Sequence, residues 1–104
     1  MKLKIYAVGD IMLGEQHLCN NFGVKDIIQK NGADFLFKEV SSLFKDADIV
    51  FGNLECSIID VNLEYSNEPV FFCAEPDAIL GLVNAHFNVL SVANNHIMEH
   101  GRRS

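Results

Sequence analysis

At 104 residues, 49% of them hydrophobic, the chain has the length of one small domain and enough apolar material to fold. A formal net charge of -6 without a basic stripe argues against a nucleic-acid surface. No stretch approaches the ~20 apolar residues of a membrane span, and Met1-Lys2-Leu3-Lys4-Ile5 enters a strand at once instead of a signal-peptide segment.

A cytoplasmic chain without a membrane span is therefore expected. The first strand is predicted over Leu3 to Val8, followed by Gly9-Asp10-Ile11-Met12-Leu13-Gly14 and a polar stretch suited to a short helix. Asn31-Gly32-Ala33 reads as a turn, with Asp34 as N-cap of a helix whose buried face is Leu36, Val40, Leu43 and Phe44. That helix ends at Asp46 to Asp48, and the second strand runs from Ile49 to Phe51.

Ser57 to Phe72 is expected as a loop or hairpin, turning at Asn67-Glu68-Pro69 and pairing back through Val70-Phe71-Phe72. Glu75-Pro76-Asp77 starts a helix with Pro76 at its first position. Ile79, Leu82 and Val83 supply its buried stripe, interrupted by Gly81. The third strand, Val89 to Ala93, leads into Asn94-Asn95-His96. Strand, helix, strand, helix, strand is an α/β order with a parallel sheet.

All three strands end in polar clusters: Gly9-Asp10, Gly52-Asn53-Leu54-Glu55 and Asn94-Asn95-His96. Ligands gather at the carboxyl ends of strands in open parallel sheets, so these carboxylates, amides and an imidazole are expected to converge. Each group also has a plain structural reading. Asp10 suits an N-cap, Asn53 and Glu55 suit a loop, Asn94-Asn95 suit a turn, and His96 suits a satisfied core position. Their joint placement favours a site.

Other groups fit it less well. Cys19, Cys56 and Cys73 form no C-x-x-C pair and read as reduced thiols, with Cys56 near the site through Glu55. His17, His86 and His100 read as surface imidazoles. Gly9 and Gly14 are spaced like a phosphate loop, but Glu15 and Gln16 stand where that loop needs Lys and Ser or Thr.

The ordered segments Gly9-Asp10-Ile11-Met12-Leu13-Gly14, Asn53-Leu54-Glu55 and Ser91-Val92-Ala93-Asn94-Asn95-His96, with Gly101 after them, resemble the bacterial capsule-synthesis family CapA or PGA-cap. The resemblance spans nearly the whole chain. It implies the N-terminal half of a calcineurin-like metallophosphoesterase αββα sandwich, in βαβαβ order with an inserted hairpin, over residues 1–104. Within that family, Asp10 resembles a ligand of one metal, and Glu55 the carboxylate that bridges two, with Asn53 close by. Asn95 resembles the amide ligand of the second metal, and His96 the histidine that meets the scissile phosphate or leaving group. Asn94 is a further candidate beside them.

The implied cofactors are two divalent ions, Mn, Fe or Mg, since hard oxygen ligands suit them. The implied substrate is a small molecule or an exopolymer-related compound, hydrolysed in service of poly-γ-glutamate capsule assembly. A non-catalytic assembly or partner-binding component is the alternative. The chain departs from the family with His86-Phe87-Asn88 where Gly-Phe-Asp is usual, Glu99 where Asp is usual, and His100 where an aromatic is usual. The family's remaining ligands are histidines in a later half, so the 104-residue chain is expected to hold a partial site and little activity.

Overall fold

In the computed structural model, which describes residues 1–16, 22–60 and 72–103, three strands form one parallel sheet. They are β1 (Ile5–Ile11), β2 (Ile49–Leu54) and β5 (Val89–Ser91), in the order β1-β2-β5. The α/β class and parallel pairing expected from the sequence hold, and β2 is the central strand. It carries the most regular alternation, with Val50, Gly52 and Leu54 buried on one face and Ile49, Phe51 and Asn53 half-buried on the other. Asn88 anchors the β2–β5 seam. Its side-chain oxygen accepts from the Val50 amide at 2.9 Å, and its amide donates to the Asp48 carbonyl at 3.1 Å.

The register of β1 against β2 slips by one residue. Ala7 partners Phe51, but Asp10, not Gly9, partners Asn53. An extra residue at Val8-Gly9 thus turns Asp10 onto the face of Asn53 and returns Ile11 beside Leu54 in the core. Without that bulge the carboxylate would point the other way.

Helices α1 (Val24–Asn31), α2 (Ser41–Phe44) and α3 (Ala78–Asn84) complete the frame, with short 3-10 helices at Ala33–Phe37 and Gly101–Arg103. The expected helix from Asp34 to Phe44 is two pieces. Asp34 lies inside the first 3-10 turn, and Gly32, at φ 84°, precedes it. Three residues per turn rotate the apolar pattern. Phe37 and Phe44 both meet the edge of Phe87, at ring separations of 5.6 and 5.4 Å, while Leu43 is 56% exposed.

On α3 the buried residues are Ala78, Gly81 and Leu82, whereas Ile79 and Val83 face outward. Gly81 is the contact and not an interruption, since a Cβ there would lie 2.6 Å from the Ala33 carbonyl oxygen. Pro76 and Asp77 form the turn ahead of the helix. Its far end is a Schellman cap, with Phe87 N–H bonded to the Leu82 carbonyl and His86 N–H to that of Val83. His86 takes the left-handed position at φ 70°, which accounts for the glycine usual there in the resembling family.

Two short strands, β3 (Ser57–Ile58) and β4 (Cys73–Ala74), form a second sheet. They pair parallel, and the return segment expected at Val70-Phe71 lies outside the described residues. The turn expected at Asn67-Glu68-Pro69 lies outside the described residues, as do His17 and Cys19. The core joins both sheets to α3 through Ile11, Leu13, Leu54, Cys56, Ala74, Ala78 and Leu82. No helix among the described residues is long and apolar enough to cross a membrane.

Candidate functional site at the strand ends

The bulge in β1 decides the geometry of the site. Asn53, on β2, donates one amide proton to Asp10 Oδ1 at 2.8 Å and the other to Glu55 Oε2. One amide therefore holds two carboxylates against a single point, although like charges would otherwise separate them. Asp10 is exposed and Glu55 half-buried, so the pair stands at the rim, open on the Asp10 side.

The loop after β5 closes the other side. Asn94 Nδ2 donates to the Leu54 carbonyl at 2.7 Å and to Asn53 Oδ1 at 3.2 Å. Its Oδ1 accepts from the amides of His96 and Ile97, at 3.0 and 3.2 Å. Asn94 thus caps the turn with one end of its amide and staples it to β2 with the other. Neighbouring groups leave no freedom in assigning these amide atoms. The Leu54 carbonyl requires Nδ2 of Asn94, and the two carboxylates require Nδ2 of Asn53. Fully buried Ser57 adds a second tie through Oγ, within 3.1 Å of the His96 carbonyl and 3.2 Å of that of Ile97.

His96 is delivered by this turn with Nε2 3.8 Å from Glu55 Oε1, within ion-pair range but beyond a hydrogen bond. Asn95 is exposed, and its Nδ2 lies 3.2 Å from the same Nε2. The structure thus brings Asp10, Asn53, Glu55, Asn94, Asn95 and His96 together. The plain alternatives are only partly met. Asp10 caps no helix, and Asn53 belongs to β2 and not to a loop. Asn94 is the turn residue, while Asn95 is left free to face outward.

Several participants carried no sequence signal of their own. Ser57 is one. Another is Phe72, whose ring meets that of His96 edge-on at 5.4 Å. Glu99, at i+3 from His96, contacts Nδ1 at 2.6 Å; its departure from the usual Asp was the available clue. His100 is half-buried, with Nε2 3.2 Å from the Phe72 carbonyl, and so is not a surface imidazole, whereas His86 is exposed. Cys56 is fully buried beside Glu55, and burial first, then nearby Cys73 and Glu55, pushes its thiol pKa up against backbone donors at Leu13 and Gly14. Burial likewise raises Cys73. Neither thiol has the lowered pKa of a nucleophile.

As a cation site, the donor set is partial. Among the described residues no three His, Cys, Asp or Glu side chains gather as a metal-holding group. The two carboxylates are nevertheless hard donors, and they stand where one positively polarised group, the Asn53 amide, is already bound. Their chemistry fits a hard divalent ion on this edge.

The family model for bacterial capsule synthesis protein PGA_cap matches residues 4–104. Among curated proteins, the capsule biosynthesis protein CapA of Bacillus anthracis is 31% identical over 105 residues, covering 98% of this chain and 24% of the relative. The PGA biosynthesis protein CapA of Bacillus subtilis (strain 168) is 30% identical over 95 residues, covering 90% and 23%. The chain spans about a quarter of the length of the curated relatives it matches. No solved structure matches it.

Proposed function

The chain belongs to the PGA_cap family of bacterial capsule synthesis proteins, and from that membership we propose that its strand-end cluster is one edge of a two-metal, phosphoesterase-type hydrolase site. The names of the two relatives support a role in capsule or poly-γ-glutamate assembly, with an exopolymer-related compound as substrate. The observation that carries the reading is the convergence of Asp10 and Glu55 on one Asn53 amide. Carboxylates drawn to a common point are pre-arranged for a cation, because their mutual repulsion has already been overcome by the fold.

In this reading Asp10 and Glu55 hold the ions, with Asn95 contributing its amide oxygen. When bound, such ions supply Lewis-acid charge to a phosphoryl oxygen and help acidify water. The chain's own groups do the rest. Asn53 and Asn94 hold the carboxylates and the turn in place. His96, with Nε2 turned toward Glu55, is the group able, once Nε2 has also taken up a proton, to pass it to a departing oxygen, a contribution of ~10²–10⁴ in rate. A partial ligand set within the described residues agrees with a site completed by further histidines, which the family's later half carries.

The same partial set is the specific observation behind the second reading, a non-catalytic assembly component of exopolymer synthesis. Metal content and manganese-dependent hydrolysis of an aryl phosphate ester, measured on one set of variants in a chain that also carries the family's later half, separate them. His96→Ala is expected to slow turnover ~10²-fold or more with metal content near the parent's. Asp10→Ala and Glu55→Ala are expected to lose metal. Equal metal loss in all three would make His96 a simple ligand, and turnover unchanged in all three would end the hydrolase reading.

A further inference from the structure

Glu99 lies three residues past His96, in the turn, and is more buried than the histidine, with side-chain exposures of 13% against 19%. Its two carboxylate oxygens do different things. Oε1 lies 2.6 Å from His96 Nδ1, and Oε2 accepts from the Phe72 amide at 2.9 Å. Phe72 is gripped again on its carbonyl by His100 Nε2 at 3.2 Å, and its ring stands at 84° to that of His96. One peptide thus anchors the carboxylate while its own side chain bounds the imidazole.

We propose that Glu99 is a positioning residue that holds His96 in its Nδ1–H form and directs Nε2 at Glu55 and Asn95. An ionised carboxylate only accepts, so a contact of 2.6 Å requires the proton on Nδ1. The opposite nitrogen agrees. Nε2 lies 3.2 Å from Asn95 Nδ2 and, left unprotonated, accepts from it. With its ring fixed at Nδ1 by Glu99 and on one side by Phe72, His96 presents a single nitrogen to the carboxylate cluster. The chemical use of that nitrogen rests on the hydrolase reading; the tautomer itself does not.

The test is a long-range ¹⁵N–¹H correlation spectrum of the imidazole rings in the full chain, recorded at a pH where the His96 ring is neutral. Free histidine favours Nε2–H. The parent chain is expected to show His96 mainly as Nδ1–H, with a pyridine-type Nε2. In Glu99→Gln the single side-chain oxygen cannot serve both Phe72 N–H and Nδ1–H, so the ring is expected to shift to mainly Nε2–H. Backbone amide shifts away from the turn should not change. A parent ring that is mainly Nε2–H would overturn the proposal without any variant, and so would an Nδ1–H ring that persists in a folded Glu99→Gln. The measurement needs neither metal nor turnover. Failure of the hydrolase reading would therefore leave an Nδ1–H result standing, and the two failures are distinguishable.

Discussion

The two adjacent asparagines of the third strand end should separate cleanly when each is truncated. Asn94 makes four hydrogen bonds, to the Leu54 carbonyl, Asn53 Oδ1 and the amides of His96 and Ile97, all part-buried. Each is worth roughly 0.5–1.5 kcal/mol net, and the capping pair behaves as one unit of about 1 kcal/mol. Asn94→Ala also strands the Leu54 carbonyl and two amides, partly relieved by water in a half-open site. We therefore expect a loss of about 2–4 kcal/mol. Asn95 is exposed and its side chain reaches His96 Nε2, so Asn95→Ala should stay within about 0.5 kcal/mol of the parent. Urea unfolding followed by circular dichroism measures both. With an m-value of roughly 1.5 kcal/mol/M, Asn94→Ala should move the midpoint down by about 1.3–2.7 M. An Asn94→Ala midpoint within a few tenths molar of the parent, or equal losses for the two variants, would refute this division of labour.

Gly81→Ala should destabilise by about 1–3 kcal/mol in thermal or urea unfolding, because its Cβ meets the backbone carbonyl of Ala33. Gly52→Ala should cost less, since the nearest obstacle is the movable Cδ1 of Ile11. His86→Gly should stabilise the chain by up to about 1 kcal/mol by relieving the left-handed conformation of the Schellman cap. Both described thiols have pKa values raised mainly by burial, so the folded chain keeps them protonated where the unfolded chain ionises them. That stability is fully present below the ordinary thiol pKa and falls as pH rises past it. Unfolding midpoints should therefore drop above about pH 8.5–9, and a Cys56→Ala, Cys73→Ala double variant should flatten that slope.

The strands and their polar ends were legible because β-branched and aromatic runs are short and end abruptly, as at Ile49 to Phe51 and from Val89, although β5 stops at Ser91 and not at the expected Ala93. What joins them was not. A one-residue bulge leaves no mark in composition, yet it decides whether Asp10 or Gly9 stands beside Asn53. The helical face Leu36-Val40-Leu43-Phe44 has a true 3.6 period, but the 3-10 winding of Ala33–Phe37 brings Phe37 inward beside Phe44. On α3, reading the largest residues as the buried ones selected Ile79 and Val83. The close approach of Ala33 instead demanded Ala78 and Gly81. The roles of Glu99 and Phe72 depend on a contact across 27 residues, which local pattern cannot express.

The most direct measurement is paramagnetic line broadening by Mn²⁺ in the amide spectrum of the chain, which detects a weak site as well as a strong one. Substoichiometric manganese should broaden first the backbone amides of Asp10 and Glu55, the side-chain amides of Asn53 and Asn95, and the ring protons of His96. Asp10→Asn combined with Glu55→Gln should abolish that pattern while leaving the fold intact. Broadening centred on other carboxylates, such as Asp26 or Asp46, or the same pattern in the double variant, would contradict a cation site at the strand ends.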